Sequence, residues 1–396
     1  CKYILIIPDG MADRPLAELD GKTPMQVARK PNMDFLASNG KVGMVRTIPE
    51  GMDPGSDVAV MSLLGYDPQK YYTGRAPIEA ASMGVYLDSK DVAFRCNLVS
   101  CDGETMLDYS GGHITTEEAR ELISFLDEKL GTSRISFYPG VSYRHIMVWC
   151  NGSPEVQTTP PHNIIGKPIA PYLPTGDGEE ILRQLIYDSL ELLDDHPINQ
   201  RRRDEGNQPA NMIWLWGQGL ALNIPNFSMK TGLSGAVIAA VDLVKGLGIA
   251  AGMKAPLVPG ATGYLDTNYE GKAKYALKAL EDHDFVAIHV EAPDEAGHNG
   301  DIDAKIEAIE NIDKRVIGVL LEGLSKIKRY RIIIVPDHVT PISIRTHSSE
   351  PVPFALYSSS APGGTDLPFD ERAVAETDLR IDEGFRLIDL LIHSSE

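Results

Sequence analysis

Three apolar runs, two of them hundreds of residues from the first, limit the fold of this chain more than any other feature. Residues 3–8, 285–290 and 330–336 are nearly continuous stretches of Ile, Val, Leu, Ala and aromatic side chains. That is the pattern of strands covered on both faces, as in a parallel sheet. Between the second and third runs, Ile302, Ile306, Ile309, Ile312, Val316 and Val319 recur at steps of three and four, which predicts a helix with one apolar face. Strand, helix, strand at this spacing is a βαβ unit. A helix is expected around residues 271–280, a further strand over 354–357 and a closing helix over 382–393. The class expected is α/β, with a mostly parallel sheet flanked by helices and built from both ends of the chain.

The middle has a different texture, with shorter strands and more frequent turns. Thr115-Thr116-Glu117-Glu118 offers a cap and acidic first-turn residues for a helix to about Leu130. Pro160, Pro161, Pro168, Pro171 and Pro174 mark an irregular stretch, and residues 179–193 read as another helix. The run 201–206, Arg-Arg-Arg-Asp-Glu-Gly, is expected to be a solvated loop. The simplest organisation is a discontinuous core, residues 1–88 and 232–396, interrupted by an inserted α+β domain over 89–231.

Charge excludes some functions. Lys and Arg total 37 against 56 Asp and Glu, a net −19, which disfavours a nucleic-acid binder or a protein held on anionic lipid. No run of about 18 uninterrupted apolar residues exists, so no membrane span is expected. The opening residues read as a strand rather than a signal peptide. The four cysteines, Cys1, Cys96, Cys101 and Cys150, are too few and too spread for a disulfide scaffold or zinc ribbon. A reduced, cytoplasmic protein is expected, with Cys96 and Cys101 as the alternative redox pair. The sequence leaves the oligomeric state open.

The chemistry follows the strands. Asp9 follows the first run, Asp294 and His298 the second, Asp337 and His338 the third, and His347 lies nine residues further on. Asp294 and His298 are four apart and share a face if helical. Oxygen and imidazole donors together suit divalent manganese, zinc or cobalt. These six residues are enough for two ions. Ser56, in Gly51-Met52-Asp53-Pro54-Gly55-Ser56-Asp57 before an apolar helical run, is either a helix N-cap or, beside a metal, a nucleophile.

These segments, taken with Ile7-Pro8-Asp9-Gly10, Gly74-Arg75-Ala76-Pro77, Ala292-Pro293-Asp294, Pro336-Asp337-His338 and Thr346-His347-Ser348, resemble the archaeal type of cofactor-independent phosphoglycerate mutases, within the alkaline-phosphatase-like metalloenzymes. The resemblance spans nearly the whole chain. It implies an isomerase of glycolysis and gluconeogenesis that interconverts 3- and 2-phosphoglycerate without 2,3-bisphosphoglycerate. It implies that Ser56 is the phosphorylated nucleophile. Asp9, Asp337 and His338 with the Ser56 oxygen are then ligands of one metal, and Asp294, His298 and His347 of the other. Manganese is the expected ion, with zinc, cobalt and magnesium compatible. The inserted domain would cover a small phosphorylated substrate.

Substrate contacts are expected from Arg75, Arg144 in Ser142-Tyr143-Arg144-His145, and His162 in Pro160-Pro161-His162-Asn163. Two segments depart from the family pattern. Asp108-Tyr109-Ser110-Gly111-Gly112-His113 stands where relatives show an arginine-rich turn, and Trp214-Leu215-Trp216-Gly217-Gln218-Gly219 where they show an arginine after a strand. His113, with Asp108, remains a candidate substrate contact and proton carrier. The departures resemble a bacterial branch with a proposed homoserine kinase role, which is the alternative function. No Gly-x-x-x-x-Gly-Lys-Ser/Thr phosphate loop accompanies it. A phosphatase and a non-enzymatic scaffold are the other readings; the complete Asp/His set argues against the scaffold.

Overall fold

The structure is a computed structural model that describes residues 1–393. The chain divides into two compact units, Cys1–Tyr72 with the chain from Ile224 onward, and Thr73–Asn223. The described strands, in chain order, are β1 (Lys2–Pro8), β2 (Lys41–Val45), β3 (Val92–Cys101), β4 (Met106–Asp108), β5 (Ile135–Val141), β6 (Arg144–Trp149), β7 (Met212–Leu220), β8 (Gly235–Ile238), β9 (Phe285–Val290), β10 (Tyr330–Ile334), β11 (Val352–Ser358) and β12 (Arg380–Ile381).

The first unit is built on a seven-stranded sheet of order β12-β2-β11-β10-β1-β9-β8. Strand β1 lies between strands from the far end of the chain, parallel to β10 with Ile4 opposite Ile332 and parallel to β9 with Leu5 opposite Ala287. Only β11 runs against its neighbours. Ile4, Ile6, Ile7, Val286, Ile288, Ile332 and Ile334 are fully buried. Successive residues of a strand face opposite ways, so both faces are covered, which is why these strands read as unbroken apolar runs. Because β1, β9 and β10 are parallel, the loops at their carboxyl ends emerge along one edge.

The helix between β9 and β10 has an unpredicted feature. An α-helix over Ile302–Asn311 passes into a π-turn over Ile312–Ile317 and continues as α-helix over Gly318–Leu324. Buried Ile312, Val316, Leu320 and Leu324 are spaced by fours. At 3.6 residues per turn such a row drifts round the helix, and the wider turn keeps it on the core. The buried stripe also contains Lys305 and Asp313.

The second unit carries an antiparallel sheet of order β4-β3-β6-β5, with β7 also paired to β3. Val92, Phe94, Cys96 and Leu98 of β3 pack with Leu122 and Leu126 of the Thr116–Leu130 helix and Leu182 and Ile186 of the Glu179–Leu193 helix. Thr115 forms the expected capping box with Glu118. The opposite face, through Ala93, Ile146 and Val148, receives Ala76 and Ala80 of the Arg75–Ser82 helix. That packing draws the helix into the second unit, so the division falls at 72/73 and 223/224, whereas composition put the expected edges at 88/89 and 231/232.

Residues 201–204 are helical, within Pro197–Asp204, rather than a loop. Arg202 is buried and donates to Gln208 O (3.0 Å), six residues on, and to Glu118 Oε2 (2.8 Å) and Gly112 O (2.8 Å), two partners too distant in sequence to be read from it. All four cysteines are free. Cys96 and Cys101 sit five residues apart on one strand, roughly 16 Å along its axis, and cannot pair.

His145 on β6 is buried, with Nδ1 accepting from the Gly140 N–H at 2.9 Å and Nε2 without a partner. Burial lowers its pKa from 6.5 to about 3. The unfolded chain therefore takes up a proton that the fold refuses, and stability falls as pH drops from 6.5 towards 3, by up to about 1.4 kcal/mol per pH unit. Urea midpoints measured from pH 7 to 4 are expected to decline less steeply in His145→Asn. Equal slopes would assign the acid sensitivity to another group.

Candidate active site

Strands β1, β9 and β10 of the first unit deliver polar residues to the same edge. Asp9 directly follows β1, Asp294 and His298 lie one turn apart on the Ala292–Asn299 helix after β9, and Asp337 and His338 follow β10. Gly10 turns the chain with φ +59°, and a Cβ there would meet Asp294 Oδ1 at 2.7 Å. Its N–H donates to Asp337 Oδ1 at 3.0 Å, so glycine is required both by the turn and by the close approach. Ser56 is the first residue of the Ser56–Leu63 helix, but the N-cap is the extended Gly55, without a side-chain cap. The serine hydroxyl is thus not spent on its own helix.

The seven residues singled out in this unit meet. Ser56 Oγ lies 3.2 Å from Asp9 Oδ2 and 3.1 Å from His338 Nε2. His338 Nε2 is also 3.4 Å from Asp9 Oδ1 and 3.3 Å from Asp337 Oδ2. Asp294 uses both oxygens, Oδ2 to His298 Nε2 and Oδ1 to His347 Nε2, each at 3.2 Å. The two imidazole Nε2 atoms are 2.9 Å apart. The His338 and His347 rings lie 4.0 Å apart and bring the two groups together.

The electrostatics are those of a site short of positive charge. Burial, then the neighbouring charges of Asp337, Asp294 and Glu291, push the Asp9 carboxyl well above its usual range. Asp9 Oδ1 and Asp337 Oδ2 are buried with no hydrogen-bond partner. Burial also raises Glu291 to about 7. For Asp294, burial acts upward but hydrogen bonds from His298 and His347 outweigh it and hold the group low. The same bond to Asp294 is the main cause that lifts His298 to about 9. Unpaired carboxylate oxygens in a dry site carry a large cost unless a cation meets them. Among the described residues, three sets of side chains have ligand atoms close enough to hold one: Asp294, His298 and His347; Asp9, Asp294 and His338; and Asp9, His289 and Asp337. The donors, carboxylate oxygen with imidazole nitrogen, fit a divalent transition metal.

Sequence reasoning missed two residues here. His289, inside the apolar run of β9, is buried and bonded through Nε2 to Asp9 Oδ2 at 2.8 Å; the one signal was an imidazole in an otherwise hydrocarbon strand. Thr340 donates Oγ1 to Asp294 Oδ1 at 2.6 Å and stands 3.1 Å from His338 Nδ1. Nothing distinguishes it in the sequence. Such partners orient ligand groups.

The remaining candidates lie in the second unit. Arg75 opens its helix, Arg144 starts β6, and His162 sits exposed on the Pro161–Asn163 turn. Burial lowers the pKa of His162, helped by the charges of Arg95 and Arg75, and the His162 ring and the Arg95 guanidinium both lie against Trp216. His113, with φ +53°, occupies the turn after β4, its N–H donated to Ser110 Oγ at 3.1 Å. Among the described residues nothing ties its ring to the arginines. Asp108 holds the same turn by accepting from the Ser110 N–H at 2.7 Å.

The whole chain is similar to proteins already known. Residues 37–199 match the family described as 2,3-bisphosphoglycerate-independent phosphoglycerate mutase. A protein of that name from Methanothrix thermoacetophila is 52% identical over 394 residues, covering 99% of each chain. The structure of a Pyrococcus horikoshii protein superposes with a TM-score of 0.83 at 34% identity, over 100% of this chain and 98% of that one. The cofactor-independent phosphoglycerate mutase of Thermoplasma acidophilum does so at 0.69 and 29% identity, over 98% of each. Among the described residues, no helix is long and apolar enough to cross a membrane. With half its residues identical over its full length to a named member, the chain belongs to the 2,3-bisphosphoglycerate-independent phosphoglycerate mutase family.

Proposed function

We propose that this chain is an isomerase that interconverts 3-phosphoglycerate and 2-phosphoglycerate through a phosphoserine at Ser56, with two divalent metal ions and without 2,3-bisphosphoglycerate. The observation that carries this reading is the Ser56 hydroxyl, spared from helix capping and set between Asp9 and His338. Asp9, Asp337 and His338 would hold one ion and Asp294, His298 and His347 the other. Manganese suits this mixed donor set, as do zinc and cobalt. Bound ions would supply Lewis-acid stabilisation of the phosphoryl oxygens and favour ionisation of the serine hydroxyl.

The residues of this chain supply the rest. In the first half, the bond from phosphorus to the 3-oxygen breaks, the bond to Ser56 Oγ forms, and the 3-oxygen gains the proton that serine loses. In the second half, the 2-hydroxyl takes the phosphoryl group and returns a proton to Ser56. Atoms balance without water or a second phosphate donor. Free backbone N–H groups in the first turn of the Ser56–Leu63 helix favour the anion. His289 and Thr340 hold Asp9 and Asp294 in fixed orientations.

Phosphorus NMR of the protein with manganese and 3-phosphoglycerate, and no bisphosphoglycerate, is expected to show 2-phosphoglycerate appearing without inorganic phosphate. Free phosphate would identify a phosphatase instead. No conversion would overturn the mutase reading, and homoserine with ATP would be the next substrate pair.

A further inference from the structure

The segment that lacks the expected arginine, Trp216-Gly217-Gln218, is the one that another arginine crosses. Arg95 on β3 stands opposite Trp216 on β7, beside a register shift between Ala93 and Arg95. Its guanidinium lies over the indole at 4.1 Å from the ring centroid. Gly217, at φ +60°, leaves the space; a Cβ there would press on Arg95 Cδ at 3.1 Å. The indole is fixed in turn, Nε1 donating to Asn97 Oδ1 at 3.0 Å, with the His162 ring edge-on at 5.5 Å.

Arg95 is tethered at one atom only. Nε donates to Glu79 Oε2 at 3.0 Å, and the side chain is 12% exposed. Among the described residues, the guanidinium donates from Nε and from neither terminal nitrogen. A guanidinium stacked on one face, pinned at Nε and left with a free fork is pre-organised for a planar or tetrahedral oxyanion. Arg75 and Arg144 are near enough for their charges to act on it. Glu79 meets Nε and neither terminal nitrogen.

We infer that Arg95, presented by Trp216 and Glu79, is an anion-binding residue of the second unit and takes the carboxylate of a small hydroxy-acid substrate. This rests on the mutase reading only for the choice of glycerate as that acid. It supplies, from β3, a cation that the sequence lacks after β7. Lysine would not replace it, because a point charge cannot make two parallel bonds to one carboxylate.

The test uses the full chain in a Ser56→Ala background with manganese, titrated calorimetrically with 3-phosphoglycerate and with glycerol 3-phosphate, which has the phosphate but no carboxylate. Arg95→Gln is expected to weaken 3-phosphoglycerate binding roughly 30-fold or more and to leave glycerol 3-phosphate unchanged. Arg95→Lys is expected to recover only part of the loss. It also serves if Arg95→Gln fails to fold, as judged by thermal melting and tryptophan fluorescence. Equal weakening of both ligands, or of neither, would overturn the assignment. The two readings separate. Lost carboxylate discrimination in a protein that makes no 2-phosphoglycerate upholds Arg95 and sinks the mutase. Unchanged discrimination in an active mutase does the reverse.

Discussion

Ser56→Ala is expected to lower turnover of 3-phosphoglycerate by at least about 10⁴-fold, because no neighbouring oxygen can replace a covalent nucleophile. Intact-protein mass spectrometry of acid-quenched wild type should show one added phosphoryl group at Ser56, absent from the variant. Stability should change by no more than about 0.5 kcal/mol, since Gly55 is the N-cap and the serine caps nothing. A variant that keeps more than about a hundredth of wild-type turnover would remove Ser56 from the covalent path. A large loss of stability would show that the hydroxyl serves the helix after all.

Lys305→Met should be the most destabilising single change in the first unit, at about 3–5 kcal/mol. Lys305 Nζ, fully buried, donates to Asp13 Oδ2 at 2.7 Å, Thr340 O at 2.8 Å and Ala12 O at 3.3 Å. Asp13 in turn accepts from the Ile342 N–H at 3.2 Å, and its own N–H goes to Glu371 Oε1 at 2.9 Å. Removing the cation leaves the buried Asp13 carboxylate without its counter-ion and takes a donor from the Thr340 and Ala12 carbonyls. The methionine stem fills most of the volume, so the loss reports charge rather than a cavity. Thr340 also holds Asp294, so the variant is expected to bind manganese more weakly as well as unfold at lower urea. Adding Asp13→Asn should recover part of the stability by removing the orphaned charge. No recovery in the double variant would mean that the carbonyls, not Asp13, carry the cost.

The two variants mark how far the sequence could be read. Asp9, Asp294, His298, Asp337 and His338 were visible because each follows an apolar run, and a parallel sheet puts such ends on one edge. Ser56 was visible as a candidate, but whether it caps its own helix was not. That depends on Gly55 taking the N-cap place and on Asp9 and His338 standing within 3.2 Å and 3.1 Å, across 47 and 282 positions of chain. Lys305 lies on the predicted helix yet was not foreseen as buried. Its partner Asp13 is 292 residues away, and a lysine inside is tolerated only when such a partner exists.

Local order is what the chain determined by itself. The apolar runs, the Thr115 capping box and the order of Asp and His along the strands follow from interactions within a few residues, where periodicity and capping chemistry operate. The family resemblance rests on the same short motifs. Only the tertiary structure decided which polar groups lose their water. His289 became a partner of Asp9, Thr340 of Asp294, Arg202 of Glu118, and Arg95 came to rest on Trp216. In sequence each is one polar residue in an ordinary strand, helix or loop. Burial makes an unpaired polar group costly, and the partner that relieves the cost is supplied by strand order and packing, which no local pattern encodes.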